Sequence, residues 1–479
     1  MVNREAEITH FAFAEVPILP ACFTNKTPTM NPLFLCALAG SIAALYFIMR
    51  GMDVRMVLFA ASLLLAAAAG NVLSIFDVFL ARMGDGQVVG PICSAMGFAF
   101  VIRMTGCDRE MVRALLKPLR GMRWLLIPGG CAVGFLTNMA ITSQTAAAAA
   151  VGPILVPLMI AAGFHPATAA ATLVLGCSAG GNLFNPGEPD VVNIHVNAGV
   201  TPYNVIGALA APELAGIGIA ILVFLVWEWR RAASSTLATG ASTEASNPDV
   251  LYSQGDTDTN SVADGVNVLK ALLPPVPVVL LFLSMPSLGL FPLLQTWYPS
   301  GIPVVHVMIA ATILTMIVAR KDFTEMTKSF FEGLGYGFTN VISLIIVASC
   351  FIESLRLCGV METLVRGIAS GGPWGYISAG VSTFALAIVS GSGTAPSIAF
   401  SKGVLPGLLA HGMDVSSVVD MGLLGAIGAT FGRTMSPVAA VVIFAATLTS
   451  SKTKDIVRRV ALPLCIGLVA AILATVFRV

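Results

Sequence analysis

Long stretches without charge constrain this chain more than any other feature of its sequence. Residues 124–187 contain no Asp, Glu, Lys or Arg, and residues 271–319 contain none either. Because about 20 apolar residues suffice for one helical crossing of a bilayer, each stretch is long enough to cross more than once. Charged residues make up 11% of the 479 residues, whereas soluble proteins carry about a quarter. The sequence therefore predicts an all-α polytopic membrane protein and excludes a soluble enzyme.

Composition argues against several other kinds of protein. The net charge of +1 gives no reason to expect a nucleic-acid partner, so the lipid bilayer is the expected surrounding. The nine cysteines contain no Cys-x-x-Cys pair and predict neither a disulfide framework nor a metal site. No cofactor is expected beyond Na⁺ or H⁺ acting as a coupling ion. Residues 1–30 form a mixed tail that lacks the pattern of a cleavable signal.

The uncharged runs divide the chain into two halves. A first half at 31–231 follows the tail, and a linker at 232–269 leads to a second half at 270–479. The linker is rich in Ser, Thr, Ala and acidic residues, which predicts a disordered tether. Each half is predicted to contain, in order, scaffold helices, a hairpin, a broken helix and a last span. In the first half these lie at 31–104, 124–161, 166–196 and 205–228. In the second half they lie at 271–352, 374–412, 416–450 and 458–477. The predicted scaffold spans are 31–49, 56–76, 86–104, 271–292, 301–319 and 334–352.

The distribution of Lys and Arg predicts the orientation in the membrane. Residues 103–123 carry six of them, and membrane proteins concentrate Lys and Arg in cytoplasmic loops. With that loop inside, alternation of the spans places eighteen basic residues, and the linker, on the cytoplasmic side and six on the other. This count requires the regions 124–196 and 374–450 each to hold one re-entrant hairpin and one full span. The predicted total is ten spans and two hairpins.

The two halves also resemble each other in sequence. Residues of the first half recur after nearly constant spacings, and the matches keep their order over roughly 130 positions. The clearest pairs are Arg103 and Arg356, Gly106 and Gly359, Thr145 and Thr394, Gly176 and Gly425, Gly181 and Gly432, and Gly216 and Gly467. By the predicted topology the halves begin on opposite sides, so the repeat is inverted. Inverted repeats are typical of secondary transporters with a site at the bilayer midplane.

Four segments interrupt apolar helices with Gly, Pro and hydroxyl residues. They are 138–145 and 180–187 in the first half, with their repeat partners at 390–396 and 432–437. Non-helical backbone at membrane depth occurs only where protein buries it or where it lines a wet cavity. Helix N-termini that meet there would bind a small anion. The alternative, that each is an ordinary kink, is weakened by their recurrence in the repeat.

Arg433 is the sharpest single candidate for the site. No other charge lies between Met421 and Ser451, and an intramembrane charge is costly unless it is used. Its planar guanidinium suits a carboxylate. A fixed ion pair with Asp190 is the structural alternative. Asn182 is its counterpart in the first half.

Acidic residues supply candidates for ion coupling. Glu188 and Asp190 follow the first broken helix, and Glu213 lies inside a span, so each is a candidate to hold Na⁺ or carry a proton. Na⁺ would bind near Asn182 and Asp190. The alternative for Glu188 and Asp190 is that they lie at a solvated outer end of the first broken helix and have no coupling role. His195 could titrate near neutral pH but is more simply explained by an interfacial position. Lys402, on the second hairpin arm, is more simply explained by snorkelling or by an ion pair than by substrate binding.

The second-half motifs carry a family resemblance. Residues 391–396 and 432–438, with Asp190-Val191-Val192, resemble motifs of the DcuC family of C4-dicarboxylate carriers in the ion transporter superfamily. The resemblance implies a bacterial inner-membrane carrier of succinate, fumarate or malate that works by exchange or ion coupling. It further implies a scaffold, a moving elevator-type transport domain and a homodimer. Thr394 stands where the family motif has Asn, and Pro189 replaces a Gly, so another small carboxylate remains an alternative substrate.

The predicted substrate site combines both halves. One carboxylate is assigned to Arg433, Thr434, Ser436, Ser392 and Thr394, and the other carboxylate or a cation to Thr142, Ser143, Thr145, Asn182 and Asn185. The nearest rival is a cation/proton antiporter that uses Asp190 and Glu213. An intramembrane hydrolase using Ser143 or Ser392 is a second rival, although no His lies near either serine in sequence. A channel is a third.

Overall fold

The helical nature of the chain is confirmed by its structure. A computed structural model describes residues 32–50, 52–119, 122–238, 266–284, 290, 296–298 and 302–478. Every regular element within these residues is a helix. The predicted tail at 1–30 and residues 239–265 of the predicted linker lie outside the described residues.

The described residues of the first half form ten α-helices. They are α1 (Pro32–Met49), α2 (Val54–Ala68), α3 (Leu73–Met83), α4 (Gly86–Thr105), α5 (Cys107–Leu116), α6 (Leu126–Ala140), α7 (Gln144–Ala161), α8 (Pro166–Ser178), α9 (Pro189–Ala198) and α10 (Pro202–Ala238). Short 3₁₀ turns at Lys117–Leu119 and Arg123–Leu125 lead into α6, and a third at Gly181–Phe184 lies between α8 and α9.

The described residues of the second half follow a similar order. Their helices are α11 (Val268–Ala271), α12 (Val276–Leu283), α13 (Val304–Ala319), α14 (Phe323–Gly337), α15 (Ser343–Leu357), α16 (Val360–Ala369), α17 (Pro373–Ser390), α18 (Thr394–Ala410), α19 (Val415–Thr434), α20 (Ala440–Thr449) and α21 (Thr453–Val476). A π-helical turn at Phe338–Ile342 joins α14 to α15.

Seven helical stretches of the described residues are long and apolar enough to cross a bilayer. They are Gly86–Thr105, Gln144–Ala161, Pro166–Ala198, Pro202–Arg231, Phe323–Leu357, Val415–Thr434 and Thr453–Val476. Five shorter apolar helices accompany them. The chain is therefore a polytopic membrane protein, and the total of ten spans stays a prediction.

Two helix boundaries in the first half differ from the sequence prediction. The predicted span 56–76 contains two helices, because α2 ends at Ala68 and Gly70 adopts a φ of +78° before α3 begins. A glycine in this left-handed conformation commonly ends a helix. Helix α10 instead continues to Ala238, so its last turns extend over the start of the predicted linker.

The predicted repeat has a counterpart in the way the helices touch. Gly181 lies against the carbonyl oxygen of Phe135, and Gly432 lies against that of Phe384. These two contacts are equivalent, because each member of the first pair matches a member of the second at the spacing of the sequence repeat. At both positions an added Cβ would fall inside contact distance of the carbonyl oxygen. Glycine is therefore required at the same place in each half.

Helices α10 and α21 occupy corresponding positions in the repeat and pack against each other. The contacts in order along α10 are Ala208 with Arg478, Gly216 with Gly467, and Glu228 with Arg459. Residue numbers rise along one helix as they fall along the other, so the two helices are antiparallel. Gly216 and Gly467 are repeat partners, and each leaves room for the backbone of the other.

The buried apolar side chains form one large cluster and several smaller ones. The large cluster joins α5–α10 with α16–α21. Smaller clusters mainly join α1–α4 with α12–α15, for example Phe98 with Val307 and Ile75 with Cys350. One of them also includes Val192 of α9 and Ile398 of α18. The hairpins and broken helices therefore share one core, and the remaining helices are packed around α4 and α15.

Candidate functional site

The first hairpin consists of α6 and α7, with its break at Ile141–Ser143. Asn138, near the end of α6, holds this tip: its Nδ2 donates to the carbonyl oxygen of Ile141 at 3.1 Å. Its Oδ1 accepts from the backbone N–H of Asn182 at 3.1 Å. Asn185 donates from Nδ2 to the carbonyl oxygen of Met139 at 3.1 Å. Side-chain amides therefore fasten the first tip to the loop of the first broken helix.

That loop, residues 179–188, separates α8 from α9. Gly180 opens it with a φ of +96°, and Asn182 donates from Nδ2 to Glu188 Oε1 at 2.5 Å. The backbone N–H of Gly187 donates to Asn185 Oδ1 at 2.9 Å. Both asparagines and Glu188 are buried, and Asn182 Oδ1 and Glu188 Oε2 have no hydrogen-bond partner. The loop therefore contains two buried acceptor oxygens that have no hydrogen-bond donor.

The second hairpin consists of α17 and α18, with its break at Gly391–Gly393. Gly391 has a φ of +69°, and a Cβ there would lie 3.0 Å from Val438 Cγ2, in the break between α19 and α20. The hydroxyl of Ser392 accepts from the backbone N–H of Ala395 at 3.3 Å. Ser392 and Thr394 are half-buried at this tip. The second tip therefore packs against the second broken helix.

Arg433 lies near the end of α19 and reaches the C-terminus of α8. Its Nη2 donates to the carbonyl oxygen of Ser178 at 2.7 Å, and its Nε donates to Ser178 Oγ at 3.3 Å. The hydroxyl of Thr434 lies within hydrogen-bond distance of the same carbonyl oxygen, at 3.1 Å, and of the carbonyl oxygen of Thr430, at 2.7 Å. Ser178 is the last residue of α8, where the helix dipole presents about half a negative charge. The arginine is therefore held by a helix end.

The remaining nitrogen of the guanidinium faces the second tip. A Cβ on Gly393 would lie 2.8 Å from Arg433 Nη1. No carboxylate of the described residues lies within 4 Å of the guanidinium, so the fixed ion pair with Asp190 is not formed there. Asp190 and Glu188 nevertheless lie within electrostatic reach of Arg433. The direct partners of this buried cation are neutral.

Two more buried carboxylates lack donors. Asp190 and Glu213 are fully buried, and the oxygens of both carboxylates are without hydrogen bonds. Ser397 of α18 lies beside Asp190 without ordinary hydrogen-bond geometry, and Glu213 lies directly against Gly180. A buried carboxylate without partners is costly. Such groups suit a bound cation or a bound proton.

The predicted site residues fall into two neighbouring groups. Arg433 and Thr434 meet at Ser178 beside the second tip, whereas Asn182 and Asn185 meet the first tip. Asp190 lies close to Ser397 of the second hairpin and within electrostatic reach of Arg433.

Other predicted residues take supporting positions. Thr142 is buried and Thr145 half-buried at the first tip, where Ser143 Oγ accepts from the backbone N–H of Ala146 at 3.4 Å. Ser436 donates its backbone N–H to the carbonyl oxygen of Arg433 at 2.9 Å, and its buried hydroxyl has no partner.

His195 and Lys402 lie away from the guanidinium. His195 is half-buried in the last turn of α9. Lys402 lies within electrostatic reach of Arg82 and Asp85, at the junction of α3 and α4. No group of three His, Cys, Asp or Glu side chains in the described ranges has the arrangement of a metal site.

Sequence reasoning missed three residues of this arrangement: Ser178, Asn138 and Ser397. Ser178 acts mainly through its backbone carbonyl, which leaves no mark in the sequence. Asn138 did carry a signal, because it is a buried amide at the start of an interrupted segment.

The fold and the site define a class of protein. A polytopic helical chain that gathers broken helices around buried polar groups is a membrane transporter. The chain belongs to the DcuC family, because the model described as "C4-dicarboxylate anaerobic carrier" matches residues 81–479.

Individual relatives agree with this membership. The anaerobic C4-dicarboxylate transporter DcuC of Escherichia coli K12 is 26% identical over 422 residues, covering 83% of this chain and 82% of its own. A Vibrio cholerae protein named as a probable transporter of that type is 24% identical, over 92% of this chain and 96% of its own. An uncharacterised transporter of Haemophilus influenzae is 33% identical over 201 residues, covering 42% of this chain and 70% of its own. These relatives are transporters, which excludes the alternative of an intramembrane hydrolase.

Two solved structures share the fold. The Alcanivorax borkumensis YdaH transporter aligns with a TM-score of 0.58 at 14% identity, covering 93% of this chain and 98% of its own. Neisseria gonorrhoeae MtrF, from a structure titled as illuminating a class of antimetabolite efflux pumps, aligns with a TM-score of 0.53 at 12% identity, covering 86% and 85%. At these identities the likeness concerns the fold alone.

Proposed function

We propose that this protein is a secondary active transporter that carries C4-dicarboxylates, such as succinate, fumarate or malate, across the bacterial inner membrane. Transport occurs by exchange or by coupling to an ion. Family membership supports the substrate class, since relatives covering most of the chain are named for C4-dicarboxylates. Arg433 supports the site.

The single observation that carries the proposal is the charge balance of Arg433. Its side chain is buried, with a relative exposure of 6%, and its hydrogen-bond partner Ser178 is neutral. A buried cation is costly unless an anion or several dipoles balance it. A substrate carboxylate at the second tip would complete that balance through Nη1. Ser436, Ser392 and Thr394 would add hydroxyl donors around the same carboxylate. Thr434, whose hydroxyl already lies against Ser178 and Thr430, would support the site beside Arg433.

The second carboxylate belongs on the side of the first tip. Asn182 and Asn185 carry amides there, and the hydroxyl residues Thr142, Ser143 and Thr145 lie in or next to the break. Two carboxylates of one substrate would then join the two tips. The sequence departs from the family motif at Thr394 and Pro189, close to the proposed substrate site. An alternative form of the proposal is therefore that the substrate is a different small carboxylate.

Asp190, Glu188 and Glu213 are the proposed coupling groups. Na⁺ would bind near Asn182 and Asp190, where unbonded oxygens of both side chains are buried. Glu213 is the proposed proton carrier, since both of its oxygens lack donors. The same observation favours the rival function, a cation/proton antiporter in which Arg433 is structural.

We further infer an elevator-type mechanism on an inverted repeat with ten spans and two re-entrant hairpins. The antiparallel contact of α10 with α21 and the shared core of the hairpins and broken helices support one moving unit and a separate scaffold. A homodimer and a cytoplasmic, disordered linker belong to the same proposal. Crosslinks between a hairpin tip and α4 or α15 that never change with substrate or ions would contradict the motion.

The test is uptake of labelled succinate by purified protein in proteoliposomes. Uptake is compared with and without internal succinate, and unlabelled fumarate, malate and a monocarboxylate are added as competitors. The proposal predicts saturable uptake that internal succinate accelerates and that only the dicarboxylates inhibit. Flux that is linear in concentration and indifferent to internal substrate would indicate a channel instead.

The rival antiporter is tested in the same vesicles. Imposed Na⁺ and pH gradients are followed with ion-sensitive dyes in the absence of any carboxylate. Cation exchange that proceeds without carboxylate, combined with no succinate uptake under any gradient, would replace the proposed function by the antiporter.

A further inference from the structure

An apolar pocket lies between α5, the first hairpin and the beginning of the second half. Its volume is about 380 Å³. Met111 and Leu115 of α5, Leu136 and Met139 of α6, and Leu272 and Val279 near α11 and α12 form its walls. Each of the twelve side chains that line the pocket is apolar. A space of this kind does not retain water, because ordered water needs several polar partners.

The pocket continues into the lipid-facing surface. Leu136, Leu272 and Val279 line it and remain about half exposed, at 48%, 58% and 50%. In a membrane protein such exposed apolar side chains meet acyl chains. A hydrocarbon chain from the bilayer can therefore enter without crossing a polar barrier.

Basic residues flank the pocket-lining residues in sequence. Residues 103–123 carry six basic and two acidic side chains. Glu110, which directly precedes the lining residue Met111, is already engaged by Arg113 at 2.8 Å and by the backbone N–H of Asn267 at 3.0 Å. Lys117 directly follows α5 and Lys270 directly precedes the lining residue Ala271, and both reach the surface. Clusters of Lys and Arg beside a membrane attract anionic headgroups.

The second half provides an internal comparison. Helix α16 corresponds to α5 in the repeat, yet residues 356–369 carry only two basic side chains and one acidic side chain. Arg366 is paired there with Glu362. The excess of basic residues beside α5 is therefore not shared by the corresponding helix of the second half.

We propose that this pocket binds one acyl chain of an anionic phospholipid, with the headgroup against Lys117 and Lys270. The bound chain packs against Met139 and Ala140, which immediately precede the break of the first hairpin. The carbonyl oxygen of Met139 also accepts from Asn185. Lipid occupancy therefore bears directly on the position of the first tip.

The test uses the full chain in nanodiscs that contain phosphatidylglycerol with a photoreactive diazirine in one acyl chain. Labelled peptides are identified by mass spectrometry. The expected labels lie in α5, α6 and α11–α12. Ala271→Phe fills the pocket and removes these labels, and Leu272→Trp does so from an exposed position. Leu222→Phe, which adds bulk at a lipid-facing site on α10 that is 59% exposed, leaves them unchanged.

The headgroup is tested by competition with unlabelled phosphatidylglycerol or phosphatidylcholine. Lys117→Gln and Lys270→Gln should each reduce the preference for phosphatidylglycerol by about fivefold. Labels spread evenly over all lipid-facing helices and unchanged by Ala271→Phe would overturn the proposal. Labels that appear only after deletion of residues 239–265 would also overturn it, because the chain itself would then occupy the pocket. This labelling does not depend on transport, so its failure is separate from failure of the proposed function.

Discussion

Arg433 Nη2 donates a hydrogen bond to the backbone carbonyl oxygen of Ser178 at 2.7 Å, across 255 residues of sequence. The bond joins the end of α19 to the end of α8, and so it joins the two halves of the chain. It also fixes the guanidinium so that Nη1 faces Gly393 of the second tip. The arginine is therefore both a link between the broken helices and the candidate carboxylate ligand.

Removing the hydroxyl of Thr434 should weaken the contact between α19 and α8 without abolishing it. Thr434→Val keeps the side-chain shape and deletes the hydroxyl, which lies within hydrogen-bond distance of Ser178 and, at 2.7 Å, of the carbonyl oxygen of Thr430 in its own helix. One such bond contributes about 0.5–1.5 kcal/mol, so a several-fold rise in the KM for succinate is expected, measured as initial uptake rates. Thr447→Val is the control, since Thr447 bonds only its own helix, at Ile443. Equal KM values for the two variants would contradict the role.

The two glycines of the repeat should be equally intolerant of a side chain. Gly181→Ala and Gly432→Ala each place a Cβ against a carbonyl oxygen, and such overpacking costs about 1–3 kcal/mol. Both variants should lower the thermal unfolding midpoint in detergent. Gly218→Ala on α10, where no atom lies within 4 Å of the added Cβ, should not. If only one of the two were sensitive, the structural equivalence of the halves would be wrong at this contact.

A buried ion pair should stabilise the contact of α10 with α21. Arg459 binds Glu228, whose Oε2 also accepts from Thr168 at 2.7 Å, and neither charged side chain is more than 14% exposed. Removing one partner of a buried pair costs about 3–5 kcal/mol when the other charge is left unpaired. Here Glu228 keeps the more exposed Arg231 at 3.7 Å, so Arg459→Met should destabilise the protein by less than this, as judged by thermal unfolding.

Double substitution separates the pair from its surroundings. Arg459→Met combined with Glu228→Met should recover most of the lost stability, since no unpaired charge then remains. Arg458→Met changes an exposed neighbour and should have little effect. A double variant as unstable as the single one would show that the pair is not what α10 and α21 depend on.

Substitution of Asp190 should affect ion-coupled uptake but not succinate exchange. Asp190→Asn keeps the shape, removes a buried charge without donors, and leaves Arg433 in place. Exchange of internal for external succinate should persist, whereas uptake driven by a Na⁺ or pH gradient should be lost. Glu213→Gln serves as the comparison in the same assay, because it removes the proposed proton carrier alone. Full gradient-driven uptake by both variants would exclude these carboxylates from coupling.

Much of the fold follows from the sequence, because uncharged length and Gly-rich interruptions act locally. The breaks at 141–143 and 391–393 lie inside the segments predicted for them. The region 56–76 was harder to predict, since nothing in its hydropathy distinguishes one helix from two that are separated at Gly70. Backbone conformation ends α2 there, and hydropathy does not report it.

The site could be predicted only in part. The chemistry of Arg433 was visible as a charge in an apolar segment, but its partner is a backbone carbonyl that any residue could provide. The contact of Asp190 with Ser397 likewise depends on how two distant helices pack. Sequence therefore indicated which side chains are unusual, and the packing of α8 against α19 determined which of them meet.

Counterflow of labelled succinate tests the central claim most directly. Wild type, Arg433→Lys and Arg433→Gln are reconstituted in succinate-loaded proteoliposomes, after size-exclusion chromatography shows that each variant is folded. A lysine keeps the charge but lacks the planar fork, so Arg433→Lys should be strongly impaired and Arg433→Gln inactive. Counterflow by folded Arg433→Gln at the wild-type rate would contradict the assignment of the substrate carboxylate to Arg433.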